Sequence, residues 1–211
     1  MSLPAEPGLT CVEHANLTQT TELMTVGAIK VHEFIALDGV YENPSWTFEF
    51  GFDPKMGEAI GAISGSCRAI LLGRRTFEMF APAWSTRTAE EDPGAPFFNE
   101  SPKYVVSGSP KTVDWSNSTI LGPYSADTIR DVKDKVDGDI YVSGSGTLVR
   151  AMLADGLVDE LHLFTYPVAR GEGERLFAAG GPVTKFTLAA SEAYSNGVVH
   201  LAYGLAVPDA A

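Results

Sequence analysis

Four times between residues 26 and 156 a short apolar run breaks at a turn and gives way to a helical pattern. Val26 to Ala36 is rich in β-formers without a turn signal and reads as a buried strand. Leu37-Asp38-Gly39-Val40 opens a loop that runs through Asn43-Pro44. Asp53-Pro54 then supplies the cap and first position of a helix to about Gly65. Arg68 to Leu72 is a second strand; Gly73 leads into a short helix, Arg75 to Phe80, ended by Pro82. Residues 82–102 read as a long loop. Lys103 to Val106 is a third strand, turned by Ser107-Gly108-Ser109-Pro110, and Ser125 caps a helix to about Val136. Asp139 to Val142 is a fourth strand. Ser143-Gly144-Ser145-Gly146 leads from it into a helix from Thr147 to Ala154, closed by Gly156. Leu157 to Thr165 is a further strand, and a Gly-rich loop spans Gly171 to Gly173. Thr184 to Ala193 and Val198 to Val207 flank Ser195-Asn196-Gly197, a hairpin signal.

Parallel strands need a crossover between them, most often a helix, and alternating strands and helices build such a sheet with helices on both faces. The expected architecture is therefore α/β: a mixed, mostly parallel central sheet in a three-layer arrangement, ending in an antiparallel hairpin. Residues 1–24 have no periodicity and read as a flexible tail, which leaves 25–208 as one domain. With 45% apolar and 20% charged residues, a chain of 211 residues can bury a core without disulfides or metals. Cys11 and Cys67 are too few for a disulfide framework or a cysteine zinc site. The net charge of -12 argues against nucleic acid and anionic membranes as partners. No Lys or Arg precedes Lys30 and no apolar run is long enough to span a bilayer, so the expected location is the cytoplasm.

Two junctions share one physical design. Leu72-Gly73-Arg74-Arg75-Thr76 and Val142-Ser143-Gly144-Ser145-Gly146-Thr147 each pass from strand through glycine into a helix start. A helix N-terminus offers free amides and a partial positive charge, and glycine lets an anion approach the backbone. Ligands of parallel sheets collect at the carboxyl ends of the strands, so the pair could hold both sides of a pyrophosphate. The competing reading is that these glycines are ordinary turn residues. Arg74 and Arg75 divide in the same way: one can pair with Glu78, while the other can reach a phosphate such as the 2′-phosphate of NADP.

Asp38 is either a turn aspartate before Gly39 or a carboxylate facing the cleft. Trp46 and Trp84 are candidates for a substrate pocket, with packing as the alternative. His14, His32, His162 and His200 lack metal-ligand spacing, so no metal is expected.

Ala36-Leu37-Asp38-Gly39-Val40, Leu71 to Glu78, Lys103 to Ser107, Val142 to Leu148 and Gly156 to Leu161 together resemble the dihydrofolate-reductase-like superfamily. Within it the chain is similar to the reductase domain of the riboflavin-biosynthesis deaminase–reductase, over roughly Val26 to Leu205. The resemblance implies an NADPH-dependent reductase acting on a C=N or C=O of a small pteridine- or pyrimidine-like heterocycle, and frequently a homodimer. It implies cofactor contacts at Leu37, Gly73, Arg74, Thr76, Ser107, Gly144, Ser145, Gly146 and Thr147, to which the reading of the residues adds Arg75, with Asp38 beside the reacting atoms. This chain has Ser143-Gly144-Ser145 where those reductases carry Glu-Gly-Gly, and Val40 where they often carry Lys or Arg. Both departures argue against the ribosylaminopyrimidine phosphate as substrate. They leave two rivals in view: a non-catalytic NADP(H)-binding module, and a binder of flavin or another nucleotide on the same fold.

Overall fold

The structure is a computed structural model that describes residues 27–109, 114–177, 180–181 and 183–205. The segment 1–24 and the far end of the last strand lie outside the described residues. Eight strands form one sheet: β1 (Ile29–Ala36), β2 (Cys67–Gly73), β3 (Lys103–Val106), β4 (Ser118–Gly122), β5 (Asp139–Ser143), β6 (Glu160–Tyr166), β7 (Phe186–Ala193) and β8 (Val199–Leu205). Their order is β4-β3-β2-β5-β1-β6-β8-β7. The first six are mutually parallel, and β8 joins β6 antiparallel and pairs with β7 in a hairpin. This is the expected mixed, mostly parallel sheet.

Helices α1 (Pro54–Gly65), α2 (Arg74–Trp84), α3 (Ala95–Glu100), α4 (Ala126–Lys135) and α5 (Gly146–Ala154) complete the described residues, with a 3-10 turn over Pro44–Phe50. Side chains alternate across a strand, so β1 feeds two cores. Ile29, Val31 and Ile35 pack with Ile129 of α4 and Val149 of α5. Ala36, with Phe34 beside it, packs with Met56 and Ile63 of α1 and Phe77 of α2.

Three features depart from the sequence expectations. The helix after Gly73 does not stop at Pro82 but runs through it to Trp84. Proline forfeits one backbone bond there; Trp84 stacks on Phe98 at 4.1 Å between ring centres, an aromatic contact that helps offset the loss. The loop 82–102 contains α3, whose last carbonyls accept from the buried Lys103 ammonium: Phe98 O at 2.8 Å, Asn99 O at 3.3 Å and Ser101 O at 2.9 Å. Strand β4 had no signal of its own. It is a short edge strand, parallel to β3 and with no fully buried residue, so it has little need for an apolar pattern.

Candidate functional site

Strand β5 lies between β2 and β1 and is shorter than both. Its last residue, Ser143, pairs with His32, and the Gly144 N–H donates to the His32 carbonyl at 3.3 Å. Beyond His32 the strand β1 continues to Ala36 bonded by β6 alone. A cleft of about 840 Å³ opens where β5 leaves, a size ordinary for a small-molecule or cofactor site.

Both junctions face this cleft. Gly73, Arg74, Arg75 and Thr76 line one wall, and Gly144, Ser145, Gly146 and Thr147 the other. They are interlocked: the Gly73 N–H donates to Ser145 Oγ at 2.8 Å. Gly144 and Ser145 both take left-handed backbone, with φ of 59 and 67°. Serine accepts that conformation at some cost, and its hydroxyl gains the cross-strand bond. The hydroxyl that could have capped α5 is thereby turned towards α2. Helices α1 and α4 are capped by the side chains of Asp53 and Ser125, whereas α2 and α5 have no side-chain cap. The two longer helices that start at the cleft are thus the two whose first amides remain open to it.

The arginines separate as the sequence allowed. Arg74 pairs with Glu78 at 2.8 Å, one helical turn on. Arg75 is exposed on the cleft rim, and no ion pair is recorded for it among the described residues. Arg150 of α5 is a third cation on the wall. It donates to the Arg175 carbonyl at 2.8 Å, pairs with Glu174 at 3.2 Å and lies over the Tyr41 ring. Tyr41 covers Gly146 so closely that any Cβ there would overlap its ring.

Five other expected site residues lie elsewhere. Asp38 Oδ2 accepts from the Gly171 N–H at 2.8 Å and faces Arg175 at 3.4 Å, which holds the 171–175 loop to the β1 turn. These contacts, the Gly171 bond first, keep its carboxyl below the usual carboxylate range. Leu37 is exposed, and its N–H donates to Val168. Ser107 is buried at the end of β3, and its hydroxyl exchanges bonds with the Ser109 backbone at 2.8 and 3.2 Å. Trp46 is core, set edge-on against Tyr166 with its indole N–H on the Glu42 carbonyl. Trp84 is sandwiched between Phe98 and the Arg87 guanidinium. None of the five lines the cleft. The loop after β1 contributes Tyr41, Glu42, Asn43 and Pro44 to it, while 82–102 folds against α2 and β3 and contributes none.

Sequence reasoning missed the deep wall of the cleft. His32 and Glu33 on β1 both line it and are 4% and 3% exposed. His32 Nδ1 is 2.7 Å from the Tyr141 hydroxyl, and its Nε2 is buried without a hydrogen-bond partner. Burial holds this imidazole down to about 3, so it is neutral. Glu33 Oε1 is likewise buried and unpartnered, and burial alone pushes its carboxyl up to about 8. A His-Glu pair inside an otherwise apolar strand, Ile29 to Ala36, was the available signal.

Residues 28–200 match the model of the RibD C-terminal domain. The chain belongs to that family. It is 26% identical over 176 residues to the uncharacterized protein YyaP of Bacillus subtilis strain 168, covering 80% of this chain and 90% of YyaP. The RibD C-terminal fold here superposes on a putative riboflavin biosynthesis protein from Shewanella sp. PV-4 with a TM-score of 0.70. That match has 19% identity over 85% of this chain and 99% of the other. It also superposes on the dihydrofolate reductase of Enterococcus faecalis complexed with NADP(H), with a TM-score of 0.58 and 14% identity over 86% and 98% of the two chains. The fold is thus dihydrofolate-reductase-like. Among the described residues no helix is long and apolar enough to cross a membrane.

Proposed function

We propose that this member of the RibD C-terminal domain family is an NADPH-dependent reductase that delivers a hydride to a C=N or C=O of a small pteridine- or pyrimidine-like heterocycle. The observation that carries the reading is the convergence of two uncapped helix N-termini on one cleft, tied together by the Gly73–Ser145 bond. Open amides and a partial positive charge on both sides suit a pyrophosphate. The Tyr41 ring sits where a Cβ on Gly146 would lie, so the loop after β1 closes directly over the start of α5. Family membership and the likeness to a reductase complexed with NADP(H) support the same reading.

In this reading the amides at the starts of α2 and α5 bind the pyrophosphate, and Arg75 takes the 2′-phosphate. Tyr41 and the loop behind it close the site against water. Asp38 serves as a positioning residue: it anchors the 171–175 loop, which carries Glu174 to the cleft wall. The bound nicotinamide would supply the hydride; the protein orients it and sets the electrostatics. The homodimer implied by the family resemblance belongs to the same proposal and is read by sedimentation velocity.

A non-catalytic NADP(H)-binding module is the second reading, favoured by Ser143-Gly144-Ser145 in place of a carboxylate-bearing turn. Calorimetric titration of NADPH and NADH into the wild type and Arg75→Ala tests the cofactor assignment. NADPH should bind near the micromolar range, about -8 kcal/mol, and Arg75→Ala should erase its advantage over NADH. Absence of binding of either nucleotide to folded protein would end both readings. Binding without turnover across a panel of dihydropteridines and aminopyrimidines would select the second.

A further inference from the structure

Glu33 is a carboxyl with no structural partner in a place where a carboxyl is expensive. It is almost fully buried on the central strand, no hydrogen bond is recorded for its Oε1, and it lines the same cleft as the two helix N-termini. Its pKa carries no contribution from a nearby cation; burial raises it to about 8. A core that needed only packing would be better served there by leucine or methionine.

We propose that Glu33 is the proton store of the cleft, protonated while the bound nicotinamide ring is neutral and ionised when that ring becomes cationic. This rests on the cofactor reading above. The balance is simple. The bound dinucleotide would supply the hydride: its C–H bond would break as a C–H bond forms on the acceptor carbon. The π pair of C=N or C=O moves to nitrogen or oxygen, and the Glu33 O–H bond breaks to supply the proton there. The acceptor would be reduced and the bound dinucleotide oxidised, with Glu33 left as a carboxylate. After the oxidised nucleotide leaves, Glu33 takes a proton from water. A positive charge in a buried site favours the ionised form of a neighbouring carboxyl strongly, which links the two events.

Every element packed around Glu33 brings ionisable groups to the cleft, among them Tyr124 before α4, whose hydroxyl burial raises. Tyr41, in the loop after β1, and Tyr141, on β5, are both raised by burial and stay neutral. His32, on β1 itself, is held down to about 3 and stays neutral. Arg150 on α5 is paired with Glu174 of the 171–175 loop, and Arg74 on α2 with Glu78. Glu42 and Arg75 complete the charged groups of the wall. Lys103, lowered to about 8, lies beneath α3 outside the cleft.

The test needs no substrate. Calorimetry in buffers of different ionisation enthalpy counts the protons released when NADP⁺ or NADPH binds at pH 7. The 2′-phosphate is common to both, so its contribution cancels in the difference. The expected result is a difference of about one proton per site in the wild type, NADP⁺ releasing more, and none in the isosteric Glu33→Gln. Infrared difference spectra of the wild type with NADP⁺ against NADPH should also show loss of a protonated carboxyl band, a readout independent of whether the variant folds. Equal release by the two nucleotides, or an undiminished difference in Glu33→Gln, overturns the assignment while leaving cofactor binding intact. Binding of neither nucleotide overturns the cofactor reading and this one with it.

Discussion

At its rim the cleft presents main chain and fixed positive charge: the uncapped starts of α2 and α5, the left-handed turn at Gly144-Ser145, and the exposed Arg75. At its deep wall it presents side chains out of solvent, the neutral imidazole of His32, set edge-on to Phe34 and Phe164, and the unpartnered carboxyl of Glu33. The rim is suited to a ligand that is charged at every pH near neutrality. The deep wall is suited to one whose charge changes. Burial makes the difference, because an ionic form loses its solvation there unless a partner restores it. The two zones should therefore respond differently to substitution, salt and pH.

The largest expected effect is at the rim. Gly146→Val puts a branched side chain where the Tyr41 ring already sits and screens the first amides of α5. NADPH and NADH binding should both weaken by about 100-fold or more, roughly 2.7 kcal/mol, in protein whose thermal melt confirms folding. Retention of binding would show that the α5 junction is only a turn.

The next effect belongs to the deep wall and appears without ligand. Glu33 holds its proton up to about 8, against 4.5 for a free glutamate, so between those values the unfolded chain ionises first and stability falls as pH rises. His32, lowered to about 3 from 6.5, has the opposite sign: its unfolded form binds a proton that the folded form refuses, so stability falls as pH drops below about 6.5. His200, held down to about 4 by burial, adds to that acid side. Stability should thus peak near pH 6.5 and fall by on the order of 2 kcal/mol towards pH 8, at about 1.4 kcal/mol per pH unit. Urea denaturation at stepped pH reads the slope. Glu33→Gln should flatten its alkaline side, and an unchanged slope would show that Glu33 is ionised in the folded protein.

A smaller effect separates the arginines. Arg75→Ala should weaken NADPH by about 10-fold, near 1.4 kcal/mol, and leave NADH unaffected. Arg74→Ala, which removes a group already paired with Glu78, should change NADPH affinity several-fold less. Equal losses would mean that Arg74 leaves Glu78 for the ligand. The smallest effect is Ser145→Gly, where relief of left-handed strain, about 1 kcal/mol, opposes loss of the bond to the Gly73 N–H, also about 1 kcal/mol. Ser145→Ala keeps the strain and loses the bond, so it should be less stable than Ser145→Gly by about 1 kcal/mol in the same denaturation assay.

Much of this molecule is local, and the local parts could be read from the chain. The Asp53-Pro54 helix start, the Ser125 cap, the Asn196-Gly197 turn and the strand–glycine–helix order around Gly73 and Gly144 each depend on a few neighbouring residues. The parallel sheet follows from their sequence order, and the two junctions from the places where glycine meets a helix start.

Other features needed partners far along the chain. Whether Trp46 and Trp84 face a ligand or a core depends on Tyr166 and Phe98. Whether Asp38 faces the cleft depends on Gly171, 133 residues away. Helix α2 passes Pro82, and Lys103 is buried beneath α3, because tertiary contacts outweigh local preference in both places. The sequence by itself determined the α/β order and the position of the backbone cradle, since turns, caps and periodicity act over one or two helical turns. The tertiary structure decided what the deep wall of the cleft is made of. Glu33 looks like one charge in a strand until β5 ends beside His32, and the missing neighbour turns a buried carboxyl towards the space a ligand would fill.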